Sequence, residues 1–289
     1  MKLFTFNDYC IQRFGEKLYK LSLDGGFSCP NRISRAEGGC AFCAGGSGHF
    51  AAAGEIEQQL TAAKAQVSEK FKGEHYVAYF QSYTNTYAPL PRLRALYLPI
   101  LEREEIAALA IGTRPDCLSA EIIDFLGELA AKKPLFIELG LQTANDQTAD
   151  SFGRGYPTSC FFEAVEALHR HPNIHVVAHL MIGLPNETEE DLIRSVEAIN
   201  RAGVDGVKFH LLHILKGTPY EELYRSGKIT TLSLEQYGDL LIAALRALKP
   251  GTVVHRITGD GAKALLIAPL WSGDKKRVLN YLNKRIKEA

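Results

Sequence analysis

Residues 135–184 read LFIELGLQTANDQTADSFGRGYPTSCFFEAVEALHRHPNIHVVAHLMIGL. The stretch opens on a strand-like apolar run, Leu135–Gln142, and closes on another, His175–Leu184. A helical pattern near 158–170 lies between them. An apolar run, a helical stretch and a second apolar run make the βα repeat that feeds a parallel sheet. The same alternation extends outward in both directions. Lys20–Leu23, Val77–Thr84, Ile106–Thr113 and Val207–Leu215 read as further strands, with Val253–Ile257 as a candidate seventh. Helical patterns fall near 55–71, 90–104, 119–132, 188–202, 233–248 and 275–287, and Pro89, Pro134, Pro172 and Gly203 punctuate the gaps. Six repeats are too few for a closed eight-stranded barrel, so a partial barrel or an open doubly wound sheet fits the count. In both, the active site lies outside the carboxyl ends of the strands.

Working outward to the whole chain, 289 residues with 46% hydrophobic and 23% charged residues can bury a large core. No uninterrupted apolar run is long enough to cross a membrane, and the start MKLFTFNDYCIQRF lacks the basic-then-apolar layout of a signal peptide. A cytoplasmic protein with no membrane partner is therefore expected. The net charge of zero argues against a strongly basic protein that coats nucleic acid. Its distribution is uneven: residues 1–35 carry six Lys/Arg against three Asp/Glu, residues 271–289 carry six against two, and the middle is acidic. Such ends either hold an anionic partner at one edge or are solvated termini.

The loop after the first strand reads GGFSCPNRISRAEGGCAFC over residues 25–43, with Cys29 ten residues ahead of the C-x-x-C pair Cys40 and Cys43. Six cysteines in a reducing compartment do not suggest a disulfide framework, so a close cluster points to metal or redox chemistry. Cys10, Cys117 and Cys160 stand apart and read as small buried side chains. Three thiolates without an obvious fourth fit a [4Fe–4S] cluster with one open iron. A structural zinc would need a fourth ligand, for which His49 is the nearby candidate. A thioredoxin-like pair would leave Cys29 unexplained.

C-A-F-C resembles the C-x-Φ-C end of the radical S-adenosylmethionine (SAM) signature, although ten residues rather than the usual three precede it. The longer spacing, with C-P-N-R following Cys29, resembles the YhcC/YtqA-like bacterial subfamily of radical SAM proteins. So do YFQSYTNTY (79–87), GTRPDC (112–117), ELGLQTA (138–144), HLMIGLP (179–185), VKFHLLHILKGT (207–218) and the late HRI and APLW. The resemblance implies a partial (βα)6 TIM-like barrel as a single domain over 1–289, with an N-terminal lead over 1–19, a core over 20–220 and a helical C-terminal extension over 221–289. It implies a [4Fe–4S] cluster on Cys29, Cys40 and Cys43, SAM as cofactor, and reductive cleavage of SAM to a 5′-deoxyadenosyl radical. It also implies a low-potential electron donor, a flavodoxin or ferredoxin, and a tRNA substrate bearing a carboxymethylaminomethyl group on a wobble uridine.

By the same resemblance Phe42 packs beside the adenine, Gln142 binds the ribose, and Arg154 sits near the methionyl carboxylate or ribose. His179 replaces an Asp that holds the ribose hydroxyls, and Gly183 lets the backbone approach the adenine. Gln81 and Thr113 stand at strand ends within reach of SAM, and Gln81, Thr84 and Asn85 occupy the stretch where a G-G-E motif is missing. His213, Lys216 and His255 are the catalytic candidates, with His210 as a further substrate-site residue. His169 and His171 fall on loops entering strands, at the opposite face.

Overall fold

The computed structural model describes residues 1–45, 51, 54–69, 71, 73–259 and 261–289. His49 lies outside them. In chain order the elements are α1 (Phe6–Phe14), β1 (Tyr19–Leu23), α2 (Ile56–Val67), β2 (Tyr76–Phe80), α3 (Leu90–Leu101), β3 (Ile106–Thr113) and α4 (Ala120–Ala130). There follow β4 (Leu135–Gln142), α5 (Asp146–Ser151), α6 (Thr158–His169), β5 (Ile174–Ile182), α7 (Glu189–Ala202), β6 (Gly206–Leu211) and β7 (Ile214–Leu215). The chain ends with α8 (Pro219–Arg225), α9 (Leu234–Ala247), β8 (Val253–Arg256), β9 (Leu266–Ala268) and α10 (Lys275–Glu288).

Among the described residues, seven strands form one parallel sheet in the order β1-β2-β3-β4-β5-β6-β8. The six expected strands are all present. The candidate seventh is β8, which pairs with β6 and carries the sheet past residue 220 into the segment expected to be an extension. The predicted strand Val207–Leu215 is divided. β6 ends at Leu211, and Ile214–Leu215 leaves the sheet to pair antiparallel with β9. The N-terminal lead is itself helical, because Thr5 and Asp8 form a capping box that starts α1.

Side-chain alternation sorts each strand into two apolar faces. In β4, Ile137, Leu139 and Leu141 join the large core beneath the helices, with Val176, Ala178 and Leu180 of β5. On the other face, Phe136 joins Val77, Ala108, Val177 and Val253 in a second, smaller core. This inner core is covered by α1, whose Phe6 and Tyr9 meet Phe136 edge-on at 5.5 and 5.7 Å between centroids. Contacts across the inner face require the sheet to curl. Lys20 Nζ of β1 lies 3.0 Å from Glu138 Oε1 of β4, and Lys208 Nζ of β6 lies 2.7 Å from the Tyr79 hydroxyl of β2. In a flat sheet those strands would stand about 14 and 19 Å apart. The strands therefore close part of the way to a barrel, with the inner core as its floor and the carboxyl ends of the strands as its open mouth.

One buried amide fixes the loop that follows β2 at this mouth. Asn85 Nδ2 donates to Phe80 O, Ser82 O and Gly112 O at 3.2, 3.1 and 2.8 Å, tying the loop to the end of β3 while Tyr83 takes a left-handed φ of 64°. Replacing Asn85 with Ala removes two N–H donors shared among these carbonyls, of which Gly112 O keeps the Asn85 backbone N–H, at about 1 kcal/mol per lost bond. We expect Asn85→Ala to lower global stability by about 2 kcal/mol, read by chemical denaturation. A loss below 0.5 kcal/mol would mean that the loop holds its shape without this amide.

Candidate active site

A cavity of about 300 Å³ opens at the mouth of the half-barrel. Its walls come from both halves of the sheet: the cysteine loop and the ends of β2 and β3 on one side, the ends of β5, β6 and β8 on the other. Gly112 and Gly140 line it at inner positions of β3 and β4, where a side chain would meet the backbone carbonyl of Phe80 and the amide of Gln142.

Cys29, Cys40 and Cys43 all face this cavity as free thiols. Each sulfur has its own hydrogen-bond donor. Thr84 Oγ1 donates to Cys29 Sγ at 3.1 Å, Asn31 Nδ2 to Cys40 Sγ at 3.6 Å, and Arg32 Nη2 to Cys43 Sγ at 3.2 Å. Such donors favour the thiolate form that metals require. Burial acts the other way and raises the Cys29 and Cys40 thiols, so metal binding there must displace protons. The loop is pinned from both ends: Asn31 Nδ2 also donates to Gly153 O and Arg154 O, and Ala41 N donates to Phe152 O at 2.9 Å. Tyr83 braces its middle, its single hydroxyl proton shared between Gly45 O at 2.7 Å and Arg35 O at 2.9 Å. Among the described residues no three His, Cys, Asp or Glu side chains converge on one metal ion. A tetrahedral zinc would draw its thiolates to within about 3.8 Å of one another. Three pocket-facing thiols, each with its own donor and with no fourth protein ligand beside them among the described residues, suit an iron–sulfur cluster with one open iron.

The cavity floor is polar. The Glu138 carboxylate, fully buried in β4, accepts from Lys20, from the Tyr79 hydroxyl at 2.7 Å, from His179 Nε2 at 3.0 Å, and from Lys208. Burial opposes its charge, but Lys20, Lys208 and His179 outweigh that and hold its carboxyl well below the usual range. Burial lowers His179 and His210, whose rings stand 4.9 Å apart, so both are neutral near pH 7. Glu138, Lys20, Lys208 and Tyr79 were not singled out from the sequence. The signal was there: Glu138 and Lys208 are lone charges within otherwise apolar strands, LFIELGLQ and GVKFHL.

Several expected site residues do line the cavity: Phe42, Gln81, Thr113, His179, His210 and His213. Phe42 meets Phe152 edge-on at 5.2 Å, and the Thr113 hydroxyl shares a 2.6 Å hydrogen bond with Thr86. Others do not line it. Gln142 ends β4 in a left-handed conformation, φ 61°, at a register shift against β5, and its amide lies over the inner side of Gly140 without itself lining the cavity. Gly183 borders a separate pocket beside α7, because β5 has already turned away. Lys216 is exposed on the turn after β7. His255 lies in the floor, tilted against Phe6 at 4.7 Å, while its neighbour Arg256 reaches the cavity.

Arg154 is the clearest correction. It is 1% exposed, and all five of its N–H donors are used within the protein. They reach Tyr156 O, Leu141 O, Thr143 O, Asp146 Oδ1 and Thr158 Oγ1 at 2.7–3.1 Å. None is left for SAM. The residue holds the chain after β4, whose Gly153 and Arg154 carbonyls in turn hold Asn31. His169 and His171 stand at the other end of the strands, half-buried beside Asp205 and Asp124.

A parallel half-barrel with three cysteines at the mouth defines a class, and the chain belongs to the radical SAM superfamily. Residues 29–199 match that superfamily, and residues 204–288 match the radical SAM C-terminal domain. It is a radical SAM enzyme, with a [4Fe–4S] cluster and SAM as its cofactors. The chain is 41% identical over 286 residues to the uncharacterized protein YtqA of Bacillus subtilis, covering 98% of this chain and 88% of that one. It is 34% identical over 283 residues to protein YhcC of Escherichia coli, covering 96% and 90%. In structure it is similar to the archaeal Methanocaldococcus infernus Elp3, with a TM-score of 0.68 at 17% identity, covering 93% of this chain and 63% of that one. At that identity the likeness is one of fold, and this chain spans less than two thirds of the Elp3 chain.

The two roles considered for Arg154 separate experimentally. Arg154→Met leaves buried carbonyls and Asp146 without their partner, so we expect a loss of about 3–5 kcal/mol in denaturant unfolding. SAM affinity of the folded fraction, measured by equilibrium dialysis, should stay within a factor of about two, since nothing the residue touches is lost from the cavity. Weakened SAM binding at unchanged stability would restore the SAM contact.

Proposed function

We propose that Cys29, Cys40 and Cys43 hold the cluster at the cavity mouth, and that the enzyme acts on a tRNA bearing a modified wobble uridine. The observation that carries the cluster assignment is the set of three cavity-facing thiols, each met by its own donor. The cluster held by Cys29, Cys40 and Cys43 would supply the electron for reductive cleavage of bound SAM, and that cleavage the means to abstract hydrogen from the substrate. The residues then have distinct tasks. Phe42 offers a face to the adenine, and Gln81 and Thr113 offer polar contacts on the same wall. His179, held by Glu138 through Nε2, presents Nδ1 as an acceptor for a ribose hydroxyl. The walls of the cavity keep water from the reactive centre. Radical SAM enzymes need an electron donor, and a flavodoxin or ferredoxin is our assignment for it.

Support for tRNA comes from the subfamily resemblance and from charge at the C-terminal end. Lys275, Lys276 and Arg277 form the first turn of α10, with no acidic residue among them. Cations at a helix N-terminus oppose the helix dipole, and a phosphate contact gives Lys276 and Arg277 a use there.

Anaerobic reconstitution should give about four irons per chain, with 5′-deoxyadenosine and methionine formed on reduction. Cys43→Ala should abolish both, whereas Phe42→Ala should retain iron and weaken SAM binding by the roughly 1–3 kcal/mol of one stacking contact. Stoichiometric zinc, indifferent to the loss of Cys29, would overturn the assignment.

For the substrate, reversing the charge of Lys275, Lys276 and Arg277 together should weaken tRNA binding. It should also flatten the plot of log affinity against log salt by about 2 units, for three lost contacts at about 0.7 each. Because acidic residues suit a helix N-terminus, unfolding would not account for the loss. Deleting the gene should change the modified-uridine profile of bulk tRNA, with wild type but not Cys40→Ala restoring it. An unchanged profile together with salt-insensitive binding would move the substrate away from tRNA.

A further inference from the structure

The side of the cavity facing the cysteine loop carries a cation with no ion-pair partner among the described residues. Arg256 lines the cavity from β8, and among the described residues no hydrogen bond or ion pair engages its guanidinium. Beside it on β6, His210 Nε2 is buried without a hydrogen-bond partner. Inside the curl, Lys20, Lys208 and Arg256 stand against a single carboxylate, Glu138, which is already shared among four donors. The backbone is built to put Arg256 there. β8 pairs with β6 as Val207↔Val254 and then Lys208↔Arg256, so His255 is an extra residue in the ladder. A bulge of this kind re-aims the side chain that follows it. Regular alternation would put His255 and Arg256 on opposite faces; with the bulge, His255 packs into the floor and Arg256 also faces inward, into the cavity.

We propose that Arg256 and His210 form an oxyanion subsite that takes a carboxylate of the enzyme's second substrate. The inference rests on the radical SAM reading of the same cavity and names the chemistry of the group held at its far side. A guanidinium edge with one imidazole N–H matches the two oxygens of a planar carboxylate. Backbone phosphates of a nucleic acid stay at the protein surface, where they fix register, and do not enter the interior of a barrel. SAM is an alternative source of the carboxylate. However, the cysteine loop is anchored by the ends of β2 and β4, through Thr84 and the Gly153 carbonyl. β8, at the sheet edge beyond β5 and β6, faces that loop across the cavity. A methionyl group at the cluster leaves this far side to the substrate.

The test uses cluster-loaded protein under anaerobic conditions and two probes of the same shape: the nucleoside 5-carboxymethylaminomethyluridine and its carboxamide analogue. With SAM present, wild type should bind the carboxylate at least about tenfold more tightly than the carboxamide, as expected for a charge-assisted pair. Arg256→Gln should erase that preference while SAM affinity changes less than about twofold, and Arg256→Lys should retain part of it. The thermal midpoint of Arg256→Gln should be unchanged or higher, because an uncompensated cation is removed; a structural role would lower it. Equal affinity for the two nucleosides in wild type, or failure to bind either, overturns the subsite. A large loss of SAM affinity in Arg256→Gln also overturns it and gives the carboxylate to SAM. Failure of the radical SAM reading itself would appear separately, as wild type that takes up no iron or no SAM.

Discussion

The Glu138 carboxylate receives Lys20 from β1, Tyr79 from β2, His179 from β5 and Lys208 from β6, so one side chain joins four other strands of the sheet across its inner face. A flat sheet cannot make these contacts at the spacing of paired strands. The network therefore goes with the curl, and the curl makes the cavity. Buried ionic groups of this kind add little net stability compared with a well-packed apolar core, but removing one member leaves charges buried and unpaired. What they specify is an arrangement: in which direction the sheet bends, and where the polar layer sits between the apolar floor and the open mouth.

Everything functional is stacked above that layer. The floor beneath is apolar and is sealed by α1 through Phe6 and Tyr9. Above it, the two flanks of the mouth differ in chemistry. The flank toward β2 and β4 gathers sulfur and the donors that face it. The flank toward β6 and β8 gathers imidazoles and an uncompensated guanidinium. Each flank thus offers its own electrostatic surroundings within one shared cavity.

Arg154 and Arg256 make an instructive pair. Both are arginines near the site, and from sequence only the first attracted attention. Arg154 is consumed by the fold, every donor bound to a local carbonyl or carboxylate, and its contribution to the site passes through the backbone that holds Asn31 and so Cys40. Arg256 makes no hydrogen bond among the described residues, and a bulge that costs ladder regularity sets it in the cavity. A charged side chain that the scaffold does not use is the stronger indication of a ligand.

Local sequence determined the order of strands and helices, the parallel sense of the sheet and the place of the cysteines, because apolar periodicity and motif spacing are properties of neighbouring residues. The three thiols of Cys29, Cys40 and Cys43 were legible for that reason, as was the cavity-facing set Phe42, Gln81, Thr113 and His179 at strand ends. Only the tertiary structure decided which inward residues meet. Lys20 and Glu138 are separated by 118 positions, and no local pattern couples them. Only tertiary structure removed Arg154, Lys216 and His255 from the cavity, put Arg256 into it, and added β8 to the sheet. Those outcomes depend on sheet curvature, on one extra residue in a ladder and on which carbonyls a buried guanidinium finds, and each is settled by partners far away in the chain.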